Sequence, residues 1–203
     1  MEHLSHFGLS RDPFANDSRI SLFFEHEAFT DAERRLLRGA NQGKGLCVLT
    51  GAGGSGKTML VRHLLESLEE EAYEAVLLIP MPGISDGRWI LDRFARQLGV
   101  EEPAKEPSTL LGQLYEQLAM VREDGRKAVL IVDEAQVLVE QELLSEMRGL
   151  LNLEYEDRRL LTVVLAGLPD LAKEMAESAA LAERVEIRVE IPPLDPESSV
   201  HYL

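Results

Sequence analysis

The segment Gly51-Ala52-Gly53-Gly54-Ser55-Gly56-Lys57-Thr58 constrains this chain more than any other. It fits G-x-x-x-x-G-K-[ST] without a mismatch. It lies between an apolar run, Leu46–Thr50, and a stretch of helical period, Thr58–Tyr73. Glycines at these spacings let the backbone curl into a concave nest of inward-facing N–H groups. The helix that follows adds its positive N-terminal end. A strand running through such a turn into a helix is a unit of parallel α/β architecture, and the concavity suits phosphate. Lys57 is expected to reach the β- and γ-phosphates of a nucleotide, and the Thr58 hydroxyl to ligate Mg²⁺. The binding surface is expected to comprise Gly51, Ala52, Gly53, Gly54, Ser55, Gly56, Lys57, Thr58 and Met59. The plain alternative is a glycine turn that matches by accident; the flanking strand and helix argue against it.

The rest of the chain repeats the same alternation. Further strands are expected at Ala75–Pro80, Ala128–Val132, Leu160–Ala166 and Glu186–Ile191. All but the last are nearly continuous apolar runs, as in strands covered on both faces. Helical period appears at Glu27–Ala40, Asp86–Leu98, Ser108–Glu123, Gln141–Glu154 and Asp170–Glu177. The fold class is therefore α/β, a P-loop NTPase with a five-stranded parallel sheet between helices and right-handed crossovers. Val100–Pro107, with two prolines and three glutamates, reads as a surface loop. Glu66–Glu71 reads as the solvated end of a helix. Residues 1–25 hold four of the six Phe and are expected to pack on the core as a linker segment. The nucleotide-binding domain is expected over 26–194. Asp195-Pro196-Glu197 then opens a helix, and 195–203 is expected to be the start of a truncated lid.

A second half of the site is expected where Val129-Leu130-Ile131-Val132 ends in Asp133-Glu134. Strand C-termini in a parallel sheet share one edge, so these carboxylates fall beside the phosphate loop. Asp133 is expected near the metal. Glu134 is expected to orient and polarise an attacking water, which favours hydrolysis over transfer to a second substrate. Strand-end acids that simply face solvent are the bland alternative. Arginines can complete such a site from a neighbouring subunit by neutralising developing charge. Arg184 is the preferred candidate, since it lies in a connection; Arg188 and Arg148 are others, and surface pairing with nearby glutamates is the alternative for each. The five histidines show no metal-ligand spacing, and Trp89 and Phe94 read as core.

Lys plus Arg number 21 and Asp plus Glu 36, a net charge of −15. A surface this acidic repels phosphate backbones and anionic lipid heads, so nucleic acid is a disfavoured partner, though a local basic patch remains compatible with it. No apolar run approaches the roughly 18–20 residues of a membrane span, and no leader is expected at the N-terminus. The single Cys47, in a strand-like run, suits a reducing cytoplasm.

Taken in order, Phe7-Gly8-Leu9…Pro13-Phe14, Leu22-Phe23-Phe24…His26-Glu27-Ala28, the phosphate loop, Asp133-Glu134-Ala135-Gln136, Leu150-Leu151-Asn152-Leu153-Glu154, Leu165-Ala166-Gly167-Leu168-Pro169-Asp170-Leu171 and Pro193-Leu194 resemble the ExeA/GspA-type AAA+ ATPases. The resemblance implies an AAA+ core binding ATP and Mg²⁺, a homo-oligomer with nucleotide at the subunit interface, and a cytoplasmic ATPase coupled to assembly of an envelope or export complex. Related domains serve DNA transposition, and a nucleotide-dependent scaffold with little turnover is a further alternative. Position by position, Lys57 and Thr58 take the loop roles, Asp133 the metal role, Glu134 the catalytic-base role, and Arg184 the role of the arginine before the last strand. One departure stands out. Relatives often read Gly-Gln-Pro-Glu-Leu where this chain has Leu168, so the polar γ-phosphate sensor at the end of the fourth strand is missing; a second sensor would lie beyond Leu203.

Overall fold

In the computed structural model, described for residues 6, 8, 24–81, 83, 88–140 and 144–202, strands and helices alternate along the chain. Their order is α1 (Glu27–Gln42), β1 (Leu46–Gly51), α2 (Lys57–Ser67), β2 (Tyr73–Leu78), α3 (Arg88–Gln97), α4 (Pro107–Glu123), β3 (Lys127–Val132), α5 (Gln136–Glu140), α6 (Leu144–Leu151), β4 (Glu154–Tyr155), β5 (Arg158–Arg159), β6 (Leu161–Gly167), α7 (Pro169–Glu177), α8 (Ala179–Ala182), β7 (Val185–Ile191) and α9 (Pro196–Tyr202). Five strands form a parallel sheet in the order β2-β3-β6-β1-β7. β4 and β5 form a separate antiparallel pair.

The continuous apolar runs are explained by burial on both faces. Cys47 and Leu49 of β1, Val129 and Ile131 of β3, and Val164 and Ala166 of β6 pack with Leu36 of α1 and Leu60 and Leu64 of α2. Their neighbours Leu46 and Val48, Leu130 and Val132, and Val163 and Leu165 pack on the other side with Phe94 of α3, Leu114 of α4 and Leu171 of α7. Side chains alternate across a strand, so only an apolar residue at nearly every position serves two cores. β7 is an edge strand and differs: Glu186, Arg188 and Glu190 interrupt its apolar positions, and charge on an edge discourages pairing with another chain.

Several boundaries depart from the sequence reading. The helix expected to reach Tyr73 ends at Ser67, and Tyr73 instead opens β2, in register with Lys127. The Lys127 N–H donates to the Ala72 carbonyl, so sheet pairing claims residues that periodicity gave to the helix. β2 accordingly runs Tyr73–Leu78 rather than Ala75–Pro80. The helix expected over Gln141–Glu154 is α6, Leu144–Leu151, and Glu154 belongs to β4. The β4–β5 hairpin was not expected: its turn residues Glu156 and Asp157 have φ of 50° and 57°, a turn that usually advertises itself with glycine or asparagine. Val100–Pro107 is a loop up to Pro107, which opens α4 behind the Glu106 cap. Glu106 accepts from Ser108 Oγ and the Thr109 N–H, which hold its carboxyl down at about 2. Of the N-terminal segment 1–25, all but residues 6, 8, 24 and 25 lies outside the described residues.

Candidate active site

Among the described residues, four polar or charged residues are buried: Thr50, Lys57, Asp133 and Thr162. Three of them gather at one edge of the sheet, at the end of β1, the start of α2 and the end of β3. Burying a charge is costly unless its surroundings satisfy it, so the fold spends its few buried polar groups at this edge.

The loop between β1 and α2 carries left-handed backbone at Gly54 (φ 75°) and Gly56 (φ 88°). Gly51 has a different constraint. A Cβ there would lie 2.5 Å from Ser55 Oγ and 3.1 Å from the Ile191 carbonyl, because the loop folds back over the end of β1. Lys57 Nζ donates to the carbonyls of Gly51 and Ala52, each at 2.9 Å, so the ammonium is held within the loop it belongs to. No side chain caps the N-terminus of α2, and Ser55 Oγ is buried without a hydrogen-bond partner among the described residues. Free helix N–H groups, an orphaned hydroxyl and a buried ammonium are the donor set of an anion cradle. The residues present therefore fit the phosphates of a nucleotide. Among the described residues there is no group of three or more His, Cys, Asp or Glu side chains able to hold a metal. The groups that would hold a metal ion beside those phosphates are the Thr58 hydroxyl and the Asp133 carboxylate.

Asp133 follows β3, and β6 lies between β3 and β1, so Asp133 sits two strand spacings from the loop, roughly 10 Å. It is 2% exposed, and its Oδ1 accepts from the Glu134 N–H at 2.9 Å. Glu134 has φ 55°, in the left-handed region; a non-glycine residue there costs on the order of 1–2 kcal/mol. Its carboxylate is exposed and accepts from Gln136 Nε2.

The sequence reading did not find a cavity of about 370 Å³ beside the loop. It is lined by Phe24, His26, Phe29, Met59, Leu194 and Tyr202 together with the loop backbone. The rings are organised: Phe24 meets Tyr202 edge-on at 5.6 Å, and His26 meets Phe29 edge-on at 4.5 Å. Burial lowers the His26 pKa, against the nearby Asp195 carboxylate, which raises it. An apolar, aromatic recess next to a phosphate cradle suits a flat heteroaromatic base. Its sequence signal was present, as the aromatics near the N-terminus, but their spacing from the loop concealed it. A larger cavity of about 590 Å³ lies at the opposite sheet edge among Arg122, Arg126, Lys127, Arg158 and Arg159, and shares no residue with the loop.

Arg184 is not brought to this site. It precedes Val185, whose register partner is Leu46, whereas Gly51 pairs with Ile191. β7 thus separates Arg184 from its own phosphate loop by roughly 20 Å. Its Nη2 donates to Asn152 Oδ1 at 2.8 Å. Arg188, within β7, donates to the Ala182 carbonyl, and Arg148 is exposed on α6. Leu168 caps α7 with its backbone, and its side chain offers no polar atom. The Cys47 thiol is buried and pushed up to about 12, chiefly by that burial, so it is inert.

A family model described as an AAA domain matches residues 40–175. General secretion pathway protein A of Aeromonas hydrophila is 34% identical over 191 residues, covering 93% of this chain and 34% of that protein. The chain thus spans about a third of the length of that relative. Among solved structures, the Aeropyrum pernix ORC2 protein in its ADPNP–ADP complexes superposes with a TM-score of 0.65 at 15% identity, covering 92% of this chain and 55% of that one. The Aeropyrum pernix ORC1 protein in complex with DNA gives 0.65 at 20% identity, over 94% and 51%. A Walker-type ATPase of Pyrococcus abyssi gives 0.59 at 17% identity, over 93% and 59%. At these identities the likeness to solved structures is one of fold. Among the described residues no helix is long and apolar enough to cross a membrane.

Proposed function

The chain belongs to the AAA domain family, and on that premise we propose that it binds ATP with Mg²⁺ at the Gly51–Thr58 loop, hydrolyses it, and couples nucleotide state to assembly of a protein complex. The observation that carries this reading is the burial of Lys57 and Asp133 at one sheet edge, beside an uncapped helix N-terminus and an aromatic recess. Bound ATP supplies the phosphoanhydride bond, and Mg²⁺ neutralises its phosphates.

In this reading the loop N–H groups and Lys57 Nζ hold the phosphates, and the glycines admit them without a side chain in the way. Thr58 and Asp133 hold the metal side. Phe24, Phe29, Met59 and Tyr202 enclose the base and exclude water. Glu134 accepts the proton of the attacking water; a positioned base of this kind contributes about 10²–10⁴-fold. Arg184 is too far to act on its own loop, so its role is to complete the loop of a second copy, and the working form is a homo-oligomer. The similarity to general secretion pathway protein A supports a secretion assembly as the partner. The apolar Leu168 side chain favours a second reading, a nucleotide-dependent scaffold with slow turnover. The net charge of −15 opposes a DNA-coating role.

The test separates binding from chemistry. Lys57→Ala is expected to lose ATP binding and hydrolysis together. Glu134→Gln is expected to keep binding within a few-fold and to lose turnover by about 10²-fold or more. A Lys57→Ala protein that binds and hydrolyses ATP like its parent contradicts the reading.

A further inference from the structure

Gln136 opens α5 two residues after Glu134 and spans the gap between the end of β3 and the end of β6. Its Oε1 accepts the Leu168 N–H at 3.2 Å, and its Nε2 donates to Glu134 Oε2. The same turn is tied to β6 by the Ala135 N–H, which donates to the Ala166 carbonyl at 2.8 Å. Gly167 makes the approach possible: a Cβ there would lie 2.7 Å from Gln136 Oε1.

The amide has only one workable orientation. A backbone N–H needs an acceptor, so the oxygen faces Leu168; an ionised carboxylate can only accept, so the nitrogen faces Glu134. Gln136 therefore bridges the Leu168 N–H, at the β6–α7 junction, and the Glu134 carboxylate. Because Leu168 has no polar side chain, the Gln136 amide is the side-chain link from its backbone to the Glu134 carboxylate, beside the backbone link from Ala135 to Ala166.

We propose that Gln136 is a positioning residue: it holds Glu134 Oε2, leaves Oε1 for the attacking water, and takes its own bearing from the Leu168 backbone. This rests on the reading of Glu134 as the water-activating base. A shift at the end of β6 is thereby passed to the base through two hydrogen bonds, so the junction governs turnover without a polar side chain of its own.

The test is a double-mutant cycle on the full chain, with Gln136→Met to keep length and packing and Gln136→Leu as a second variant. Each is expected to lower kcat about 10–100-fold, the scale of a catalytic group misplaced by about 1 Å, with ATP affinity within threefold and cooperative unfolding retained. In a Glu134→Gln background, Gln136→Met is expected to cost nothing further, because it acts only through that carboxylate. Hydrogen exchange at the Leu168 amide gives a readout independent of turnover: it is expected to accelerate at least tenfold in Gln136→Met, while the Ala135 amide stays protected. A Gln136→Met protein with parental kcat or unchanged Leu168 exchange overturns the proposal, as does equal loss of kcat and ATP affinity. If Glu134→Gln itself leaves turnover intact, the assignment of the base fails, and the proposal fails with it by that separate route.

Discussion

Gly56→Ala tests how the phosphate loop is built, because two independent constraints meet at that residue. Gly56 has φ 88°, and a Cβ placed there would lie 2.5 Å from Phe29 Cζ and 3.4 Å from Cε2. The left-handed backbone alone costs alanine about 1–2 kcal/mol. Phe29 is 6% exposed and packed against the core, so it cannot swing freely aside; forcing an extra methyl into such a contact costs about 1–3 kcal/mol. Together they predict a loss of about 2–5 kcal/mol, seen as a fall of about 1–2 M in the urea midpoint. ATP affinity should fall as well, since a displaced Phe29 moves the wall of the aromatic recess. Phe29→Leu removes Cζ and should relieve the contact, so that Gly56→Ala in that background costs only the backbone part, about 1–2 kcal/mol. A Gly56→Ala protein within about 0.5 kcal/mol of its parent, or one with the same cost in both backgrounds, refutes the reasoning.

The Glu186 carboxylate receives the Gly45 N–H at 2.9 Å, Lys44 Nζ at 3.0 Å and Arg159 Nη1; burial alone would raise its pKa, but these partners hold it below its usual 4.5. The folded state then binds fewer protons than the unfolded one. Stability from this group is full above about pH 4.5 and is lost as pH falls through the lowered folded value. Glu186→Gln should therefore lower Tm at pH 7 by an amount corresponding to about 1 kcal/mol or less, and differ little from the parent in acid; equal effects at both pH values would contradict this. Mixing Arg184→Ala with Lys57→Ala, each inactive alone, should restore hydrolysis at interfaces that pair an intact loop with an intact arginine. No recovery at any mixing ratio would remove Arg184 from the site.

The phosphate loop, the strand-end acids and the alternating order of elements were legible because each is local. A glycine pattern, an apolar run and a carboxylate pair read the same in sequence and in space. What was hidden depends on tertiary approach. Gln136 stands in plain view beside Glu134, yet its role requires knowing that Leu168 lies across from it. Phe24, His26, Phe29 and Tyr202 come from opposite ends of the chain and meet only once α1 and α9 pack around the loop. The β4–β5 hairpin was invisible because Glu156 and Asp157 adopt a turn whose usual residues are absent. Tyr73 went to the sheet because pairing with Lys127 outweighs a helical propensity of a few tenths of a kcal/mol. Leu168 was legible as a departure; that its backbone N–H is held by Gln136 was not.

The account stands most directly on whether the Gly51–Thr58 loop hydrolyses ATP and needs a neighbour to do so. Mg-ATP hydrolysis should be measured across a wide range of protein concentration, with Lys57→Ala as the blank. The account predicts a specific rate above the blank that climbs with concentration as Arg184 of one copy reaches the loop of the next. A rate equal to the blank at every concentration would contradict hydrolysis at this site, and a rate above the blank but independent of concentration would contradict its completion by a second subunit.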